Sequence, residues 1–103
     1  MDEAPRIKTF EEFWPYYMSQ HRKRGTRLVH FIGTSFALFF LCEYFVTSDW
    51  RLLPVGFVSV YGPAFLSHYI IEKNRPATFE HPFLSIGGDL KMFFLMLIGK
   101  IKI

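Results

Sequence analysis

Two long apolar runs joined by a short polar turn dominate what this chain can fold into. Leu28 to Val46 carries one formal charge, Glu43, and Leu52 to Ile71 carries none. Each run is close to the roughly 20 residues that an α-helix needs to cross the hydrocarbon core of a bilayer. With only Asp49-Trp50-Arg51 and its neighbours between them, the pair reads as a helical hairpin whose two far ends lie at the same level. A soluble domain of 103 residues has too little interior to hide thirteen Phe. The spans 28–46 and 52–71 are therefore expected to face lipid, with kinks at Pro54 and Gly62-Pro63.

Charge gives the orientation. Lys8, Arg22, Lys23, Arg24 and Arg27 precede the first span, and Lys73 and Arg75 follow the second. Both ends of the hairpin are therefore expected on the cytoplasmic side. A basic cluster touching an apolar run anchors a membrane surface, so membrane lipid and no nucleic acid is the expected partner. The acidic start of the chain reads as no cleavable signal peptide. The short chain without a targeting tail points to a bacterial inner membrane over an endoplasmic reticulum membrane. The single cysteine, Cys42, excludes a disulfide framework and a thiolate zinc site, and is expected to be a small buried hydrophobe.

Two further helices flank the hairpin. Thr9 and Glu12 have the spacing of a capping box, and Phe10, Phe13, Trp14, Tyr17 and His21 then share one face. This predicts an amphipathic interfacial helix over 9–21, kinked or split at Pro15. Gly25 is expected to close it and Thr26 to cap the next helix. Pro82 suits the first turn of a third helix, 82–98. Gly87-Gly88, Asp89 and Lys91 interrupt its apolar pattern, so it is expected to lie against the hairpin, partly inserted. The expected fold is all-α, a small integral membrane helical bundle forming one domain over 1–103.

On this topology the four histidines converge. His21 ends the interfacial helix, His30 begins the first span, His68 ends the second, and His81 precedes the third helix. One such histidine alone reads as a hydrogen-bonding side chain. Four at one level of a membrane, with none at the other, point to a metal ion. Imidazole suits iron, zinc, copper or nickel. Glu72 lies one turn after His68, Glu80 precedes His81, and Asp89 lies in the last helix; each is a candidate to ligate or to orient a ligating imidazole. For Glu72 an ion pair with Lys73 or Arg75 is the competing reading. No paired HxxxH boxes of the di-iron kind are present, so one metal is the natural count.

Three stretches carry a family resemblance. They are Tyr17-x-x-x-His21 with Thr26-Arg27-x-x-His30-Phe31-Ile32-Gly33, then Ser67-His68-x-x-x-Glu72-Lys73-Asn74-Arg75-Pro76-Ala77-Thr78-Phe79, then Ser85-x-x-Gly88-Asp89-x-x-Met92-Phe93. From about Phe10 to Gly99 the chain resembles a family of membrane-integral 2-hydroxy fatty acid dioxygenases, which act on acids derived from phytosphingosine. The resemblance implies Fe(II) as cofactor, with His21, His30, His68 and His81 as the essential histidines. It also implies α-oxidation, in which molecular oxygen cleaves a 2-hydroxy fatty acid between C1 and C2 to leave an acid one carbon shorter. Arg75 and Lys73 are the candidates to steer the substrate carboxylate, with Arg27 read as an anchor of the helices. A 2-hydroxy carboxylate chelating an octahedral iron takes two positions and oxygen a third. Four histidines are then one too many, and one is expected to leave the metal or work beside it. The competing reading is a metal- or lipid-binding small membrane protein, or a subunit of a membrane complex, without turnover.

Overall fold

The computed structural model describes residues 7–102, and every regular element among them is helical. Helix α1 is Phe10–Ser19, α2 is Arg24–Thr47, α3 is Leu52–Ser67 and α4 is Pro82–Leu97. A π-helical turn, His68–Glu72, continues α3, and a 3-10 turn, Ala77–Phe79, precedes α4.

α2, at 24 residues, is the one described helix long and apolar enough to cross a membrane by length and composition. It pairs with α3 along most of its length. Ser48, in the left-handed region at φ 60°, closes α2, and its N–H donates to the Tyr44 carbonyl at 2.7 Å. Arg51 then forks onto both oxygens of Asp49 at 2.9 and 3.0 Å, which holds the turn. Pro63 lies inside α3 and has no N–H to offer the Ser59 carbonyl. Gly33 of α2 comes close to that carbonyl: a Cβ added at Gly33 would stand 2.8 Å from it. The missing side chain thus lets the two backbones meet where α3 carries an unpaired acceptor.

Away from this seam the hairpin is apolar and uncovered. Phe36, Phe39, Phe45, Phe57, Val58 and Leu66 are all more than half exposed. Cys42 shares this outer face and is exposed, contrary to the buried position expected for it. α2 packs chiefly on α3, and Cys42 lies outside that packed side.

α1 lies on α4. Its Phe13 and Tyr17 are buried with Met92, Met96 and Ala77, and form the described core. The Thr9 half of the capping box forms, its Oγ1 accepting the Glu12 N–H at 3.2 Å, while Glu12 Oε1 reaches one residue further back to accept the Lys8 N–H at 3.1 Å. α1 runs through Pro15 without dividing. The carbonyl that Pro15 leaves unpaired belongs to Glu11, which is exposed and can be solvated. The break after α1 comes at Gln20–Lys23 and not at Gly25, which sits inside α2 facing Ile71.

A candidate metal centre

The break between α1 and α2 places His21 in contact with two other imidazoles. Side chains from elsewhere satisfy its backbone. The Asn74 amide donates to the Gln20 carbonyl at 3.2 Å, and Arg27 Nη1 donates to the carbonyls of His21 and Arg22 at 3.2 and 2.8 Å. Lys23, the residue preceding α2, has no cap of its own; the Glu72 carboxylate accepts its N–H at 2.5 Å. A four-residue linker is thereby fixed by groups up to 54 positions away.

His21, His30 and His68 are each at most 4% exposed, and their candidate ligand atoms lie within 4.8 Å of one another. His21 Nε2 is 3.1 Å from His30 Nε2 and 3.1 Å from His68 Nε2. The opposite nitrogens settle the tautomers. His21 Nδ1 meets the Tyr17 carbonyl at 2.7 Å, and His30 Nδ1 meets the Thr26 carbonyl at 2.9 Å. His68 Nδ1 meets Asn74 Oδ1 at 2.8 Å, and the bond from Asn74 Nδ2 to Gln20 fixes which way that amide points. A carbonyl oxygen can only accept, so all three Nδ1 atoms carry the proton. The three Nε2 atoms therefore present bare lone pairs to one another. Lone pairs 3.1 Å apart repel unless something positive lies among them.

A proton is a poor candidate for that role. Burial, and after it the neighbouring His30, lower the His21 pKa from 6.5 to about 2. A metal ion fits better. An ion about 2.1 Å from each nitrogen spans a 3.1 Å edge at close to a right angle, and each ring is held from behind by a carbonyl, as ligating imidazoles generally are. The space beside the rings is about 10 Å³, little more than one water-sized sphere.

His68 caps the end of α3 and opens the π turn, which supplies its partner. Its carbonyl accepts the Lys73 N–H and, at 2.9 Å, the Asn74 N–H, and Lys73 takes the left-handed conformation at φ 64°. This sharp reversal brings Asn74 back to the ring six residues behind it. His21 is gripped from its face too: the Tyr17 ring stacks on it at 4.0 Å between centroids, 22° from parallel. The Tyr17 hydroxyl donates to Asp89 Oδ1. A Cβ at Gly88 would stand 2.7 Å from the Tyr17 ring, so the glycine is what admits it.

Of the remaining candidates, only Asp89 borders the cavity with the three imidazoles. His81 stands before α4 with its ring against Phe13 and Tyr16, at 5.5 and 6.1 Å, and its buried Nε2 has no partner among the described residues. Asp89 borders the cavity beside the imidazoles and is held by Tyr17. Glu72 caps α2 as described. Glu80 is exposed at the end of the 3-10 turn. Lys73 and Arg75 are exposed, with the Arg75 guanidinium 5.0 Å above the Phe79 ring. Sequence reasoning missed Asn74 and the Tyr17 grip, although Tyr17 was legible as the residue one turn before His21.

No characterised protein and no solved structure matches the chain. A family model described as 2-hydroxy-palmitic acid dioxygenase Mpo1-like matches residues 7–101. With three buried imidazoles able to hold a metal and nearly its whole length covered by that match, the chain belongs to the Mpo1-like family.

Proposed function

We propose that this protein is an Fe(II)-dependent dioxygenase of a membrane that cleaves 2-hydroxy fatty acids between C1 and C2. The observation that carries the reading is the set of three bare Nε2 lone pairs converging in a buried site. The family supplies the reaction class. With one dioxygen the reaction closes as an acid one carbon shorter, carbon dioxide and water, so no external reductant is required.

His21, His30 and His68 are the residues that would hold the iron, which supplies Lewis acidity toward a 2-hydroxy carboxylate and redox reactivity toward dioxygen. Three neutral ligands leave the ion's charge uncompensated, and that favours an anionic substrate. His81 is the histidine left off the metal in this reading. Its Nε2 is buried without a partner among the described residues, and its ring packs against Phe13 and Tyr16. Lys73 and Arg75 present positive charge at the exposed end of α3 and draw a carboxylate to this face.

The membrane assignment is supported by the length of α2, by a helical run unbroken from Leu52 to Glu72, and by the uncovered Phe and Val on the outside of the hairpin. Arg22, Lys23 and Arg24 at the start of α2, with Lys73 and Arg75 after α3, support a cytoplasmic location for both ends of the hairpin.

Anaerobic loading of the detergent-purified protein with Fe(II), then addition of oxygen and 2-hydroxypalmitate, tests the proposal by mass spectrometry. Pentadecanoate and close to one bound iron per chain are expected, and His68→Ala should lose both. Binding below about a quarter equivalent of any transition metal would refute the site. Full activity in the His68→Ala protein would refute the ligand assignment.

A further inference from the structure

Ser85 carries a hydroxyl with nothing to hold. The residue is 1% exposed, and its Oγ has no hydrogen-bond partner among the described residues. Serines in helices usually turn the hydroxyl onto a carbonyl three or four residues back. Ser19, Ser35, Ser59 and Ser67 do so here, at 2.5 to 2.9 Å. Ser85 has the same opportunity, because the His81 carbonyl is in place and accepts its N–H at 2.9 Å, yet the hydroxyl does not use it. Two other buried polar atoms lack partners, Thr26 Oγ1 and His81 Nε2. Of the three residues only Ser85 borders the cavity beside the imidazoles.

The surroundings specify a ligand. Asp89, one turn further along α4, borders the same cavity and is bonded to the Tyr17 hydroxyl, so a carboxylate arriving next to it would set two carboxyl groups side by side out of water. A neutral group able to donate and to accept meets no such penalty and matches both Ser85 and Asp89. Across the cavity stand Tyr61, Ala64 and Phe65 of α3. α4 packs on α1, on α2 and on the 3-10 turn, and scarcely touches α3. That seam is where an apolar tail can leave toward lipid with the least disruption of packing.

On the reading of the site as a 2-hydroxy acid dioxygenase, we infer that Ser85 recognises the 2-hydroxyl of the substrate. The cavity as it stands has room for about one water, so the head enters as α3 and α4 part along that seam. The carboxylate then lies on the imidazole side and the acyl chain between the two helices. On this placement Ser85, and not chelation of the hydroxyl by iron, is what separates a 2-hydroxy fatty acid from the plain fatty acid of the same length. A site built to hydrogen-bond a hydroxyl rejects the analogue that lacks it, because the site's own polar group is left unpaired.

The test is equilibrium binding of radiolabelled 2-hydroxypalmitate and palmitate to Fe(II)-loaded protein in lipid nanodiscs under argon. The wild type should prefer the hydroxy acid by about tenfold or more. In Ser85→Ala the preference should shrink to within about threefold with palmitate binding unchanged. The metal-free variant should melt no lower than the wild type, because the hydroxyl holds nothing in the fold. A wild-type preference retained in Ser85→Ala overturns the inference, as does a melting point lowered by several degrees. A wild type that holds iron but binds both acids equally also overturns it, while leaving the metal site standing. A wild type that takes up no iron removes the underlying reading and this inference together.

Discussion

Tyr17 holds His21 twice: its carbonyl accepts the Nδ1 proton at 2.7 Å, and its ring lies over the imidazole with centroids 4.0 Å apart. The same ring rests on Gly88, and its hydroxyl is tied to Asp89. One side chain thereby links the linker histidine to α4, which contributes none of the three imidazoles. Tyr17→Phe keeps the carbonyl and the stacking and loses only the bond to Asp89. The expected outcome is a stability loss of about 1–3 kcal/mol, from leaving a largely buried carboxyl unpaired, with metal stoichiometry retained. Thermal unfolding and metal analysis of the same preparation measure both.

Asn74 does two jobs with one amide, accepting from His68 Nδ1 and donating to the Gln20 carbonyl. Asn74→Leu should weaken metal binding by about 10–100-fold, the usual cost of removing the group behind a ligating imidazole. Asn74→Asp keeps the acceptor and should lose less. Competition against a chelator of known affinity ranks the three proteins, and the order wild type, Asp, Leu is the expected one.

Gly33 and Gly62 offer a matched pair on the hairpin. Alanine at Gly33 would place its Cβ 2.8 Å from the Ser59 carbonyl, a backbone atom that cannot swing aside. At Gly62 the nearest neighbour would be a Val58 methyl at 3.8 Å, an ordinary contact. Gly33→Ala should therefore destabilise by about 1–3 kcal/mol through forced separation of α2 and α3. Gly62→Ala should be neutral, or more stable by up to about 1 kcal/mol. Unfolding in detergent with increasing denaturant separates the two.

The metal-free protein should lose stability in acid from the near-neutral side. Burial, and then His30, hold the folded His21 pKa at about 2, below the ordinary 6.5. Between those values the unfolded chain binds a proton that the folded chain refuses. Protonation therefore favours unfolding as pH falls from 6.5 toward 2, and stability from this group is complete above 6.5. Melting temperatures of chelator-treated protein should be level from pH 8 to 7 and decline below 6.5. A His21→Gln protein should show a shallower decline over the same window.

Much of this was legible in the sequence, and the exceptions have physical causes. The hairpin, the Thr9 cap and the gathering of His21, His30 and His68 follow from periodicity, spacing and the length of the turn. Gly87-Gly88 reads as an interruption of α4 because a single chain shows only their poor helix propensity. In the fold the helix passes through both, and they form the bed on which Phe10 and Tyr17 lie. Gly25 misled for the same reason: it resembles a cap, but Glu72 caps α2 from a distant helix, and that makes Arg24 the helix start. Local sequence does not reveal a cap that comes from 49 residues away. The return of Asn74 to His68 depends on the π turn, whose extra residue per turn leaves no signature in the apolar pattern.

The spacing of the three imidazoles along the chain also bears on synthesis. His21 and His30 are nine residues apart and emerge together, whereas His68 follows 47 residues after His21. A ribosome-bound chain that has not completed α3 offers two imidazoles at most, a weak chelate for any divalent ion. The third arrives only when the hairpin has closed and Asn74 has turned back onto His68. Metal capture is thereby delayed until the buried pocket exists, and an ion taken up early by the first pair can still be lost before it is sealed in.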